Sequence, residues 1–429
     1  MATLTIEGGN RLAGEITASG SKNGALALMA ATLLVEGEVV LTNLPHIQDV
    51  YNMVEMLQAL GARAELTRSG VLITDATHIC ASEAPADLVK KMRASFSVWG
   101  PLLARTGASR VAIPGGCDIG ARPVDFHLKG IQALGAIVRN DHGVVEARAD
   151  QLVGARIYMD FPSAGATQQI MATACLARGT TLIENAACEP EIVDMAQFLN
   201  KCGARITGAG TSIIQVDGVK RLNGVEHTII PDRVEVGTFA LAAVATRGEV
   251  FIRDANPDHC LPLIQKLQEI GAIAREDAEG IFFACRRTPL ATDIVTMPHP
   301  GFPTDLQQPM GAVLTCSEGT SIISEKVYEH RFRYLSELQR MGADNHSENR
   351  TAVIRGVPKL HGAQVTACDL RAGAALTIAA LAADGTTEIA DVEHIHRGYE
   401  YFDEKLNSLG AKVTSDESML MSEVLACLE

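Results

Sequence analysis

The chain has 429 residues, 47% of them hydrophobic, and a formal net charge of −14. That length supports two or three domains with sizeable cores, and the acidic balance argues against a nucleic-acid or anionic-membrane partner. The ten cysteines form no CxxC pair and no His/Cys cluster at zinc spacing, so neither a disulfide framework, a structural metal nor a cofactor is expected.

The N-terminus MATLTIEGGN carries no basic-then-apolar export signal. Apolar runs such as ALALMAATLL (25–34) are about half the ~20 residues of a spanning helix, so no membrane insertion and a cytoplasmic location are expected. After a short strand, TLTIEG, which could pair with either half of the chain, comes this all-apolar run. A turn at Gly37 and a β-rich segment follow, then the amphipathic pattern QDVYNMVEMLQALGA (48–62) and a second β segment, ARAEL.

This order recurs six times. The amphipathic segments end in residue–Gly–Ala at Gly61, Gly135, Gly203, Gly271, Gly342 and Gly410, about seventy residues apart. A glycine there closes a helix in the left-handed conformation. A second mark, the turn after the apolar helix, falls at Gly37, Gly107, Gly179, Gly248, Gly319 and Gly385. Two independent marks at one period identify a repeat architecture. Helices apolar on every side, such as TFALAAVAT (238–246) and AGAALTIAALAA (372–383), belong inside a cage of strands and amphipathic helices. Six units predict an α/β protein of two three-repeat domains, with a boundary near residue 230.

The buried helices start in polar segments: SGSKNGA (19–25), PSAGATQQ (162–169), PDRVEVGT (231–238), PTDLQQPM (303–310) and CDLRAGAA (368–375). Capping residues and unpaired N–H groups make such ends attractive to anions, and Lys22 and Arg371 add full charges. Arg93, Arg122, Arg331 and Arg397 are surface charges, members of structural ion pairs, or forks for phosphate and carboxylate. In PGGCDIGARP (114–123), Cys117 reads as either a small apolar filler or a reactive thiol on a loop.

Taken together, SGSKNGAL (19–26), RASFSVWGPLLAR (93–105), PGGCDIGARPVDFHLKGI (114–131), FPSAGATQQIM (161–171), ENAACEPEIVD (184–194), PDRVEVGTF (231–239), FPTDLQ (302–307), EHRFRYLSELQRMGA (329–343), DLRAGAAL (369–376) and IHRGYE (395–400) carry a resemblance along nearly the whole chain. They are similar to the UDP-N-acetylglucosamine enolpyruvyl transferases of the EPSP synthase family. The resemblance implies an inside-out α/β barrel fold of six βαβαββ repeats. One domain would span 21–229 and carry the cysteine loop; the other would combine 1–20 with 230–429, and the active site would lie in the interdomain cleft. It also implies transfer of enolpyruvate from phosphoenolpyruvate to the 3′-hydroxyl of UDP-N-acetylglucosamine, the first committed step of peptidoglycan synthesis.

Site roles follow from the same resemblance. Cys117 would be the general acid and Asp305 the general base, with Lys22 and Arg397 also catalytic. Lys22, Asn23, Arg122, Arg331, Arg371 and Arg397 would hold phosphoenolpyruvate. Arg93, the run Arg122, Pro123, Val124, Asp125 and Phe126, and the loop Phe161, Pro162, Ser163 and Ala164 would hold the nucleotide sugar together with Asp305 and Val327. Phe161 departs from relatives that carry lysine there, and Asp118 beside the cysteine is a second variable point. His127 is expected to be a structural helix residue.

Overall fold

The computed structural model describes residues 2–79, 81–113 and 124–416. Among these the chain divides into two compact units, one of residues 20–113 and 124–230, the other of residues 2–19 and 231–416.

Each unit is built on three helices that are buried on nearly all sides. In the 20–230 unit they are Lys22–Ala31, Trp99–Thr106 and Ala164–Ala174; in the other they are Arg233–Ala245, Gln307–Leu314 and Leu370–Ala382. Alanine and glycine let neighbours approach closely: eleven of the thirteen residues of Leu370–Ala382 are buried, and this helix packs on both Arg233–Ala245 and Gln307–Leu314. The apolar run 25–34 is an α-helix only to Ala31 and finishes as the 3-10 turn Thr32–Leu34. The amphipathic helices, such as Gln48–Ala59 and Pro190–Lys201, lie outside this core and bury one face.

Every repeat contributes one small sheet. In the third repeat Arg156–Tyr158 runs parallel to Thr180–Glu184, which pairs antiparallel with Ile213–Asp217 and through it with Arg205–Thr207. Among the described residues the second repeat shows a three-stranded sheet, with the isolated bridge Glu83–Arg110 where its first strand would pair. In the sheet of the sixth repeat one strand comes from the chain's start: Thr3–Glu7 inserts between Thr386–Ala390 and Lys412–Ser415. The next strand, Ala13–Thr17, pairs parallel with Glu249–Arg253 of the fourth repeat, while Glu226–Thr228 pairs with Glu38–Thr42 of the first. Among the described residues the chain passes from one unit to the other at 19–20 and 230–231.

All six residue–Gly–Ala glycines are left-handed, with φ between 86° and 105°, as a helix-closing glycine requires. The second mark differs in one repeat. Arg247 takes the left-handed conformation there (φ 54°) and Gly248 does not. Gly248 is instead fixed by packing, since a Cβ would lie 2.1 Å from the Leu12 carbonyl oxygen.

Candidate active site

The polar starts of the buried helices carry several of the expected site residues, among them Lys22, Asp305 and Arg371, and each unit is described in turn. In the 20–230 unit Ser21 caps the helix of Lys22, its hydroxyl accepting from Gly24 N at 3.2 Å. The Lys22 ammonium lies 2.8 Å from Asp49 Oδ2, with side chains only 12% and 3% exposed. A carboxylate this buried needs a fixed countercharge, and Asp49 thereby holds Lys22 in one place. Asn23, the next residue, is exposed.

Arg93 begins the 3-10 segment Arg93–Val98, on which the Lys22 helix packs. Val124 is buried and precedes helix Asp125–Ala133, with Asp125 exposed and Phe126 half-buried. Phe161, Pro162, Ser163 and Ala164 are all half-buried, and Ser163 caps helix Ala164–Ala174 by accepting from Ala166 N at 3.4 Å. His127 ties these pieces together. Its Nδ1 lies 2.7 Å from Gln169 Oε1, and the Gln169 amide nitrogen donates to the Phe96 carbonyl at 2.7 Å. With the amide oriented by Phe96, Oε1 must accept, so the imidazole proton sits on Nδ1. Burial is the main cause that lowers its pKa to about 4; the Gln169 hydrogen bond opposes the shift and the Arg93 charge adds to it. His127 is a neutral linker near pH 7 that joins helix Asp125–Ala133 to Gln169 of helix Ala164–Ala174 and, through it, to Phe96 of the Arg93–Val98 segment.

In the other unit the structure brings three expected residues into direct contact. Asp305 lies in the 3-10 turn Thr304–Leu306 that leads into helix Gln307–Leu314. Its Oδ1 is 2.7 Å from Arg331 Nη2, and its Oδ2 is 3.1 Å from Arg371 Nη2. The guanidiniums are 3% and 5% exposed, against 24% for the carboxylate. Burial opposes the charge on both arginines, yet Asp305 with Tyr328 for Arg331, and Tyr399, Asp305 and Asp232 for Arg371, raise both above the ordinary value. Arg371 also lies 5.3 Å from the Tyr399 ring centroid, a favourable cation–π distance. Arg397 caps the short helix Glu393–His396 and is half-buried, two residues before Tyr399. Val327 is half-buried, and its backbone N–H donates to Glu325 at 2.7 Å. Cys117, Arg122, Pro123 and Asp118 lie outside the described residues.

Several groups support these residues, and not all of them carry a local signal in the sequence. Asp49 is a lone carboxylate on the apolar face of an amphipathic helix, a detectable signal. Asp369 caps helix Leu370–Ala382, accepting from Arg371 N at 2.8 Å and Ala372 N at 3.0 Å, and also receives the Gln308 amide at 3.1 Å. Thr304, Glu325 and Gln169 gave no local signal, because their partners are far away in sequence. Chemically, the set is a carboxylate between two buried guanidiniums, and separately a buried lysine at a capped helix start. The first can accept a proton and exchange its ion pairs for those of an incoming anion.

The chain matches the family model described as EPSP synthase (3-phosphoshikimate 1-carboxyvinyltransferase) over residues 6–406. It is 53% identical over 415 residues to UDP-N-acetylglucosamine 1-carboxyvinyltransferase 2 of Carboxydothermus hydrogenoformans, covering 96% of this chain and 99% of the relative. It is 48% identical over 418 residues to UDP-N-acetylglucosamine 1-carboxyvinyltransferase of Thermotoga petrophila, covering 96% of this chain and 98% of that relative. The enolpyruvyl transferase NikO from Streptomyces tendae superposes with a TM-score of 0.87 at 27% identity, over 96% of this chain and 98% of that one. EPSP synthase from Acinetobacter baumannii shares the fold with a TM-score of 0.74 at 17% identity, covering 97% of this chain and all of that one (100%). With a family model spanning nearly all of it and relatives of about half-identical sequence matched almost end to end, this chain belongs to the EPSP synthase family and has the enolpyruvyl transferase fold.

Proposed function

We propose that this chain transfers the enolpyruvyl group of phosphoenolpyruvate to the 3′-hydroxyl of UDP-N-acetylglucosamine, releasing phosphate, as the first committed step of peptidoglycan synthesis. The Arg331–Asp305–Arg371 contact is the observation that carries it, because it joins a proton acceptor to two anion-binding forks in one place. The printed activity of the relatives about half-identical to this chain supports the choice of acceptor.

In the addition step the sugar hydroxyl oxygen bonds to C2 of phosphoenolpyruvate. Asp305 takes the hydroxyl proton, and Cys117 delivers a proton to C3. The resulting tetrahedral ketal loses a proton from C3, the C2–C3 double bond re-forms, and the C2–O bond to phosphate breaks. Arg331 and Arg371, with Lys22, Asn23, Arg122 and Arg397, hold the phosphate and carboxylate. Such preorganised charges stabilise the transition state without reorganising at the moment of reaction. Arg93, residues 122–126, residues 161–164, Asp305 and Val327 hold the nucleotide sugar. We assign residues 21–229 to one domain and residues 1–20 with 230–429 to the other, and the enzyme to the cytoplasm. No disulfide joins any two of the seven described cysteines, which fits a reducing compartment.

The test supplies phosphoenolpyruvate with UDP-N-acetylglucosamine and follows phosphate release. Release is expected with this acceptor. Release only with shikimate 3-phosphate, the acceptor implied by the family description, would replace the proposal, and no release from folded protein with either would end it.

A further inference from the structure

Glu325 follows strand Thr320–Ser324 and is 0% exposed. Its Oε1 accepts from the Thr296 hydroxyl at 2.7 Å and from the backbone N–H groups of Val327 at 2.7 Å and Tyr328 at 3.1 Å. Its Oε2 accepts from the Thr304 hydroxyl at 2.9 Å. Four hydroxyl and backbone donors thus replace the water that burial removed, which is what a buried carboxylate requires.

The consequence lies in the direction of the Thr304 hydroxyl. A carboxylate oxygen can only accept, so Thr304 commits its single proton to Glu325 and has only lone pairs for its other neighbour. That neighbour is Arg331, whose Nη1 donates to Thr304 Oγ1 at 2.7 Å while its Nη2 donates to Asp305 Oδ1 at 2.7 Å. With both Nη groups engaged, the plane of a rigid guanidinium is set. Asp305, held by Arg331 on one oxygen and Arg371 on the other, is set with it. The same Glu325 side chain anchors the backbone at Val327 through its other oxygen.

We propose that Glu325 is a positioning residue: through the Thr304 hydroxyl it fixes the orientation of the Arg331 guanidinium, and so of Asp305, while its other oxygen holds the Val327 segment in register. This rests on the transferase reading above for its kinetic readout. Thr304 is the intermediary that gives the arrangement its polarity.

The test compares the wild-type protein with Glu325→Gln, Thr304→Val and Thr304→Ser. In Glu325→Gln the amide carbonyl can keep the three donors of Oε1, while the amide nitrogen now points a donor at Thr304. Thr304→Val keeps the side-chain shape and removes the hydroxyl. Both should lower kcat/KM for phosphoenolpyruvate roughly 10- to 100-fold. Calorimetric affinity for UDP-N-acetylglucosamine, measured without phosphoenolpyruvate, should fall less than kcat/KM, because Asp305 is only one of the groups that hold the sugar and Oε1 still anchors Val327. Thr304→Ser should recover most of the loss. Unchanged kcat/KM in Glu325→Gln and Thr304→Val would overturn the proposal. So would an equal loss toward both substrates with Thr304→Ser no better than Thr304→Val, since that marks a merely structural role. If Glu325→Gln does not fold, the Thr304 pair decides alone. A wild-type protein that releases no phosphate sinks the transferase reading instead. The positioning role is then read from inorganic phosphate, which should raise the melting temperature of wild type and Thr304→Ser but not of Thr304→Val; equal shifts in all three would overturn it.

Discussion

Replacing Asp305 by asparagine separates binding from turnover. The substitution keeps the shape and one acceptor oxygen but removes the negative charge between two guanidiniums that are 3% and 5% exposed. Charge-assisted hydrogen bonds of this kind contribute roughly 1.5–3 kcal/mol each. One would be lost and the other weakened, while the Thr304 contact to Arg331 and the fields of Asp369 and Asp232 remain. After a discount for the carboxylate's own 24% exposure, the expected loss is about 2–3 kcal/mol. For a unit of roughly 200 residues that lowers the melting midpoint by about 4–12 °C. Inorganic phosphate should stabilise the variant more than the wild type, because the anion supplies the charge that was removed. Loss of a general base should cut phosphate release roughly 100- to 10,000-fold. Differential scanning calorimetry across a phosphate series, with a coupled phosphate assay, measures both. A variant that melts with the wild type and gains equally from phosphate would refute the charge-balance argument. Surviving turnover would refute Asp305 as the base.

His127, with its pKa lowered from 6.5 to about 4 mainly by burial, gives a pH signature. Its contribution is fully present above pH 6.5 and is lost as the pH falls toward 4, because there the unfolded chain takes up a proton that the folded one refuses, a swing of ~3 kcal/mol. In urea titrations the stability gap between wild type and His127→Gln should shrink across that window; a constant gap contradicts the assignment. Gly311→Ala should cost about 1–3 kcal/mol through overpacking, since a Cβ there would lie 2.0 Å from the Tyr334 hydroxyl; a thermal melt unchanged from wild type would contradict this. Fosfomycin, an epoxide, should add once, at Cys117, while burial holds the thiols of Cys202 and Cys368 up at about 12 and raises that of Cys175 as well. Intact mass and peptide mapping check this, and a Cys117→Asp variant should escape the adduct yet retain turnover.

The repeat plan was legible in the sequence because its signals are local. Each residue–Gly–Ala sits at the end of one helix, and the left-handed φ at all six glycines depends on the residues beside them. The all-apolar helices were likewise visible, since a helix without a polar face has no stable place but the interior. Arg247, however, takes over the left-handed turn of the fourth repeat, and only the carbonyl of Leu12, some 230 residues away, explains why Gly248 is glycine. The alternation in TLTIE suits any sheet edge, so its insertion into the sixth repeat could not be read from the strand alone. The site divides the same way. Caps such as Ser21 and Asp369 are written beside the helices they start, and arginine-rich polar segments advertise anion chemistry. That Asp305 takes one oxygen to Arg331 and the other to Arg371, that Lys22 meets Asp49, and that Glu325 reaches Arg331 through Thr304 are pairings between distant segments. Sequence alone determined which elements form and which residues carry charge at their ends, since propensity and capping act over a few residues. The tertiary structure decided which charges share one dry site, because hydrogen bonds and ion pairs depend on ångström distances that only the packing of three helices and their sheets can set.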